Sequence, residues 1–206
     1  MTFSALHPHL RLLFIICLGF SSLAYGQSDS VKPPSTTTLP PALIAVQKHI
    51  NRSQFAKALP LVEDYLKINP NDIPGRFMLG ISLSGLSNTN EAIAVFTKLT
   101  EDAPEMAEPY NNLAVLHAKS GDLDQARLAL EMAVRANPDY AVAHENLGDI
   151  YSRLAAQQYQ KSQSLDAFNK PLDKKLKTLS EVVEISPQAF VPRNPLPNRT
   201  TSSLPF

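Results

Sequence analysis

The sequence predicts an all-α protein, a solenoid of helix-turn-helix repeats closed by a C-terminal capping helix. Three observations carry this. Residues recur with a period of 34: Pro70, Pro104 and Pro138; Leu79, Leu113 and Leu147; Ala58, Ala92 and Ala126. Each period holds two stretches of helical apolar spacing with a break between them. Gly is scarce at 7 of 206 residues while Pro reaches 17, a balance that suits helices with punctuated ends.

Composition bounds the rest. Hydrophobic residues make up 44% and charged residues 18%, too apolar for a wholly disordered chain. A single Cys rules out a disulfide framework within one chain. Lys+Arg number 19 and Asp+Glu 19, so no long-range field draws nucleic acid or anionic lipid, and neither is an expected partner.

Residues 1–26 read as a secretory signal peptide. Arg11 and the amino terminus supply positive charge, Leu12 to Phe20 form the apolar run, and Ser22, Ala24 and Gly26 are small residues at cleavage spacing. That run is shorter than the roughly 20 residues a spanning helix needs, so no stable membrane span is expected once the signal is cleaved. Cys17 is not preceded by the small residue that lipid attachment requires, since Ile15 and Ile16 stand there. Export without disulfides suggests a bacterial periplasm or exterior. Residues 27–40, rich in Pro, Ser and Thr, read as an extended linker.

The solenoid is expected over residues 41–170, in units of about 41–72, 73–106 and 107–140 and a truncated 141–170. In the third unit residues 108–119 carry Leu113, Val115 and Leu116 among polar residues, Ser120-Gly121 breaks the helix, and residues 123–135 resume it. Asp122 with Gln125, and Asn88 with Glu91, have the chemistry that caps a second helix. Each recurring Pro then ends a unit, because it lacks a backbone donor and disfavours helical geometry just before it. Two antiparallel helices approach closely only where small residues meet, so Gly80 is expected opposite Ala92 and Ala114 opposite Ala126.

These residues resemble the tetratricopeptide repeat. The third unit is the fullest match, with Tyr110, Leu113, Ala114, Gly121, Ala126, Leu130, Ala133 and Pro138 in order. The second matches through Leu79, Gly80, Ala92, Phe96 and Pro104, and departs with Leu99; the first keeps Val46, Ala58 and Pro70, with Tyr65 at that same late place. The resemblance implies a right-handed solenoid whose first helices line a concave groove. It assigns to that groove Phe77, Met78 and Ile81, then Glu108, Asn111, Asn112, Val115 and Lys119, then Glu145, Asn146, Asp149 and Arg153. Carboxamides donate and accept, so Asn111, Asn112 and Asn146 suit a peptide backbone. A subgroup of the family clamps chaperone carboxyl termini with Lys, Asn and Arg; Leu43, Gln47, Met78, Glu108 and Asn112 stand at those places, so that use is not expected.

The fourth unit departs. Its opening, with Leu147, Gly148 and Tyr151, is regular, but Ala155, Tyr159 and Ser162 bring the second-helix pattern about five residues early without Gly or Pro between. One long helix from about residue 140 to 165 is expected in place of a hairpin. A capping helix over 171–186 follows, with Leu172, Leu176, Leu179 and Val183 on one face and Lys174, Lys175 and Lys177 on the other. Residues 187–206, with five prolines, read as a disordered tail.

Chemistry is marked by absences. Removing the signal leaves no Cys nucleophile, the Gly residues do not cluster into a phosphate loop, and His49, His117 and His144 have no metal-spaced neighbours. No catalytic residue, metal or cofactor is expected. The reading that follows is a non-catalytic scaffold, a periplasmic adaptor or assembly factor gripping a protein or peptide of the cell envelope. An accessory subunit of an envelope hydrolase or biosynthetic complex is the alternative, and self-association through the apolar first helix is a further expectation.

Overall fold

Eight α-helices and no strand make up the described part of the protein, residues 39–185 of a computed structural model, with side chains described through residue 181. They are α1 (Pro41–Ile50), α2 (Phe55–Ile68), α3 (Ile73–Gly85), α4 (Thr89–Asp102), α5 (Ala107–Lys119), α6 (Leu123–Ala136), α7 (Ala141–Leu165) and α8 (Lys170–Ile185). The signal, nearly all of the linker and the tail read from the sequence lie outside the described residues. The bounds repeat the sequence period. Helices α2, α4 and α6 end two residues before Pro70, Pro104 and Pro138, and α3, α5 and α7 begin three residues after them.

Local chemistry accounts for the turns. Between the helices of each hairpin one residue takes the left-handed region: Ser53 (φ 55°), Ser87 (φ 64°) and Gly121 (φ 82°), again 34 apart. Asp122 Oδ1 accepts the Gln125 amide at 3.1 Å and caps α6. Asn88 makes no side-chain cap to α4, contrary to its reading from sequence. Asp72 caps α3 instead, taking the Gly75 amide at 2.7 Å.

The fourth unit lacks both devices. Ala155 stands where Ser53, Ser87 and Gly121 turn the chain, and Ala156 where Asp122 caps the next helix. Alanine has the highest helix propensity and no means of capping, so α7 runs unbroken for 25 residues. The chain reverses only after Leu165, and α8 packs back on α7.

Each helix packs on the next, and the first helices α1 and α3, and α5 and α7, also touch across units. One core joins α1–α4 with Leu113 and Leu116, and a second joins α5–α7 around Leu130 and Ile150. Within the first, Phe96 is fully buried and its ring meets Phe77 edge-on, centroids 5.7 Å apart. A Cβ added at Gly80 would lie 2.7 Å from Phe96 Cζ. The close approach expected at Gly80 is therefore made by the Phe96 ring rather than by Ala92. Truncating such a buried aromatic typically costs about 3–5 kcal/mol.

Candidate functional site

The twelve residues assigned to the groove divide by burial. Phe77, Met78, Ile81, Asn111, Asn112, Val115 and Asn146 are closed into the interior, each at most 2% exposed. Lys119 and Glu145 are exposed, and Glu108, Asp149 and Arg153 half-buried. Packing explains the first set. Phe77 is drawn onto the Phe96 ring, Ile81 joins the same core, and Val115 joins the core of α5–α7.

The carboxamides bond within the protein. Asn146 Nδ2 donates to Asn111 Oδ1 at 2.8 Å, a buried bond that ties α7 to α5 one repeat apart. Asn112 Nδ2 donates to the Glu108 carbonyl one turn back, at 2.8 Å. Asn111 Nδ2 is buried without a hydrogen-bond partner among the described residues. Asn111 and Asn146 therefore couple the neighbouring first helices α5 and α7, while Asn112 bonds within α5.

An open cleft of about 380 Å³ runs between the α5–α6 turn and α7, lined by Ala118, Gly121, Leu123, Arg153, Ala156, Gln157 and Gln160. Its floor is apolar; its rim offers a guanidinium and two carboxamides, which supply donors and acceptors at fixed helical spacing. Arg153 alone was assigned from the repeat pattern. Ala156, Gln157 and Gln160 were missed because in a regular repeat they would belong to a second helix; the signal for them was the unbroken alanine stretch. Glu145, Asp149 and Arg153 also interact with other groups within the protein.

Two histidines bond within the protein. His144 Nε2 donates to the Pro138 carbonyl at 2.8 Å, and His49 Nδ1 pairs with Gln54 Oε1 at 2.9 Å. Among the described residues no three His, Cys, Asp or Glu side chains gather into a metal site, and no helix is long and apolar enough to cross a membrane.

Stacked helical hairpins with a 34-residue period and close helix crossings such as that at Gly80 define a repeat solenoid. Residues 77–163 carry tetratricopeptide repeats: the family model for that repeat matches residues 77–141 and 117–163. Among curated proteins, the chloroplastic tetratricopeptide repeat domain-containing protein PYG7 of Arabidopsis thaliana is 38% identical over 52 residues. That match takes in 25% of this chain and 17% of that relative's length. Two solved structures share the fold. A thermophilic tetratricopeptide-repeat protein of Thermus thermophilus aligns with TM-score 0.51 and 24% identity, over 68% of this chain and 80% of its own. MamA from Desulfovibrio magneticus aligns with TM-score 0.51 and 21% identity, over 71% and 95%. The fold supports a role in protein interaction, and proteins of this family are typically non-catalytic scaffolds.

Proposed function

We propose that the protein is an exported, non-catalytic adaptor that holds a segment of another envelope protein against the inner face of α5 and α7. The cleft between the α5–α6 turn and α7 carries this reading, because it is where the inner face leaves apolar floor and polar rim open together. An extended or helical segment would set an apolar side chain on Ala118, Leu123 and Ala156. Gln157 and Gln160 would then meet its backbone, and Arg153 a carbonyl or carboxylate. The N-terminal apolar run supports export to the periplasm, and the sequence pattern of residues 1–26 is the whole of that support.

Site-specific photo-crosslinking in the cells that make the protein tests it. A photoreactive residue at Gln157 should yield one defined adduct with an envelope protein, and the same residue at Lys57, exposed on α2, should not. No adduct at Gln157, or the same adducts from both positions, would overturn the assignment.

A further inference from the structure

The balance of 19 cationic against 19 anionic residues conceals an uneven placement. Residues 39–160 carry ten Lys and Arg against fourteen Asp and Glu, whereas residues 161–177 carry five Lys against two Asp. That basic segment is the turn between α7 and α8 with its flanks. Helix α5 ends at Lys119, so one period later a regular α7 would end at Arg153. Instead α7 runs twelve residues further, about 18 Å at 1.5 Å each. Helix α8 returns antiparallel along this extension, with Asp173 against Gln163 and Lys175 over the Tyr159 ring, so the two form an arm with the turn at its tip.

Apolar side chains stand uncovered at that tip. Phe168 is 94% and Leu165 76% accessible, and among the described large apolar residues only Ile68, on α2, is comparably exposed. Lysines collar them. Lys161 lies one turn before Leu165, and Lys170, Lys174 and Lys177 share one face of α8 at i, i+4 and i+7. Leu172, on the opposite face, is buried, so the lysine face turns outward. None of these four ammonium groups has an ion-pair partner among the described residues. The two carboxylates of the segment are otherwise engaged: Asp173 accepts from Gln163 Nε2 at 2.7 Å and Asp166 from the Phe168 amide at 3.1 Å. Glu181, the next acid on the lysine face, lies a turn farther from the tip. We propose that the α7–α8 tip docks on an anionic bilayer surface. Leu165 and Phe168 pass below the headgroups, and the four lysines meet headgroup phosphates from above. A convex tip of one charge sign is shaped to enter such a surface, and the length of the arm holds the repeats clear of it. The contact is peripheral and independent of the cleft at Gln157.

The probe is an environment-sensitive dye on Ala167→Cys, in the full chain with Cys17→Ser. It is mixed with vesicles of phosphatidylglycerol and phosphatidylcholine in equal parts, their acyl chains brominated to quench any dye that enters them. Quenching is expected at residue 167 and not for the same dye on Lys57→Cys, so attachment through the apolar run of residues 12–20 does not imitate it. Phe168→Ser should abolish the quenching without lowering the melting temperature, because the side chain is exposed. Lys170→Gln with Lys174→Gln should weaken vesicle affinity at least about tenfold, since each lysine at an anionic surface contributes about fivefold. Vesicles of phosphatidylcholine alone should bind as weakly. Absence of quenching at residue 167, equal quenching at both dye positions, or quenching unaffected by Phe168→Ser would overturn the proposal. Soluble polyglutamate binding as tightly as the vesicles, read by anisotropy of the same dye, would also overturn it and assign the lysines to an acidic protein. The Gln157 crosslink is read separately, so either site can fail alone.

Discussion

Two glycine substitutions with opposite expected signs probe the packing most sharply. Glycine in a helix interior costs about 0.8–1.0 kcal/mol relative to alanine. At Gly148 the added methyl meets nothing within 4 Å, so Gly148→Ala should recover most of that, about 0.5–1 kcal/mol. At Gly80 the same methyl would lie 2.7 and 2.8 Å from two atoms of the Phe96 ring, which is fully buried and braced by Phe77. Over-packing a tight core costs about 1–3 kcal/mol, so after the propensity gain Gly80→Ala should be destabilising by about 0–2 kcal/mol. For a chain of this size 1 kcal/mol moves the melting temperature by about 2–4 °C. Thermal melts followed by circular dichroism would show Gly148→Ala above the parent and Gly80→Ala at or below it. A lower melting temperature for Gly148→Ala would mean that a helix already covers α7 there, and a gain for Gly80→Ala would refute the close crossing.

Other consequences are as direct. Asn146→Ala should destabilise by about 1–3 kcal/mol in urea unfolding, because it leaves both polar ends of the buried Asn111 carboxamide unpaired. Ser53→Gly and Ser87→Gly should each stabilise by about 0.5–1 kcal/mol, since a left-handed backbone strains a residue with a Cβ; loss of stability in thermal melts would contradict the turn geometry. The Arg76 guanidinium, with Lys98, holds the Asp102 carboxyl below its ordinary value of 3.8. Its contribution is therefore present above that value and lost as pH falls through the depressed one. Asp102→Asn should lower stability at neutral pH and flatten the acid limb of the stability–pH curve, and an unchanged acid limb would refute the pairing.

The period, the hairpins and the family were legible because each is written in residues with strong backbone consequences: the recurring prolines, the small residues at helix crossings, and the Ala155-Ala156 pair where a turn would need a left-handed residue and a cap. The groove was legible only in part. A position-by-position resemblance says which side of α5 and α7 a residue takes, but not how closely neighbouring first helices approach. That approach decides whether Asn111 and Asn146 meet each other or a ligand. Likewise Gly80 announces a close contact, while its partner depends on the rotamer of Phe96. Asn88 has the chemistry of a cap and makes no such bond.

The cleft at Gln157 requires α7 to be one uninterrupted helix. Spin labels at Glu145→Cys and Ser164→Cys, in a Cys17→Ser background, measure this by dipolar spectroscopy. Nineteen residues at 1.5 Å each place the two backbone sites about 28 Å apart in a continuous helix. A hairpin turning at Ala155 would bring them to about 10 Å, the distance between packed helices. A narrow distribution near the longer distance is the expected result, and a population at the shorter one would contradict it.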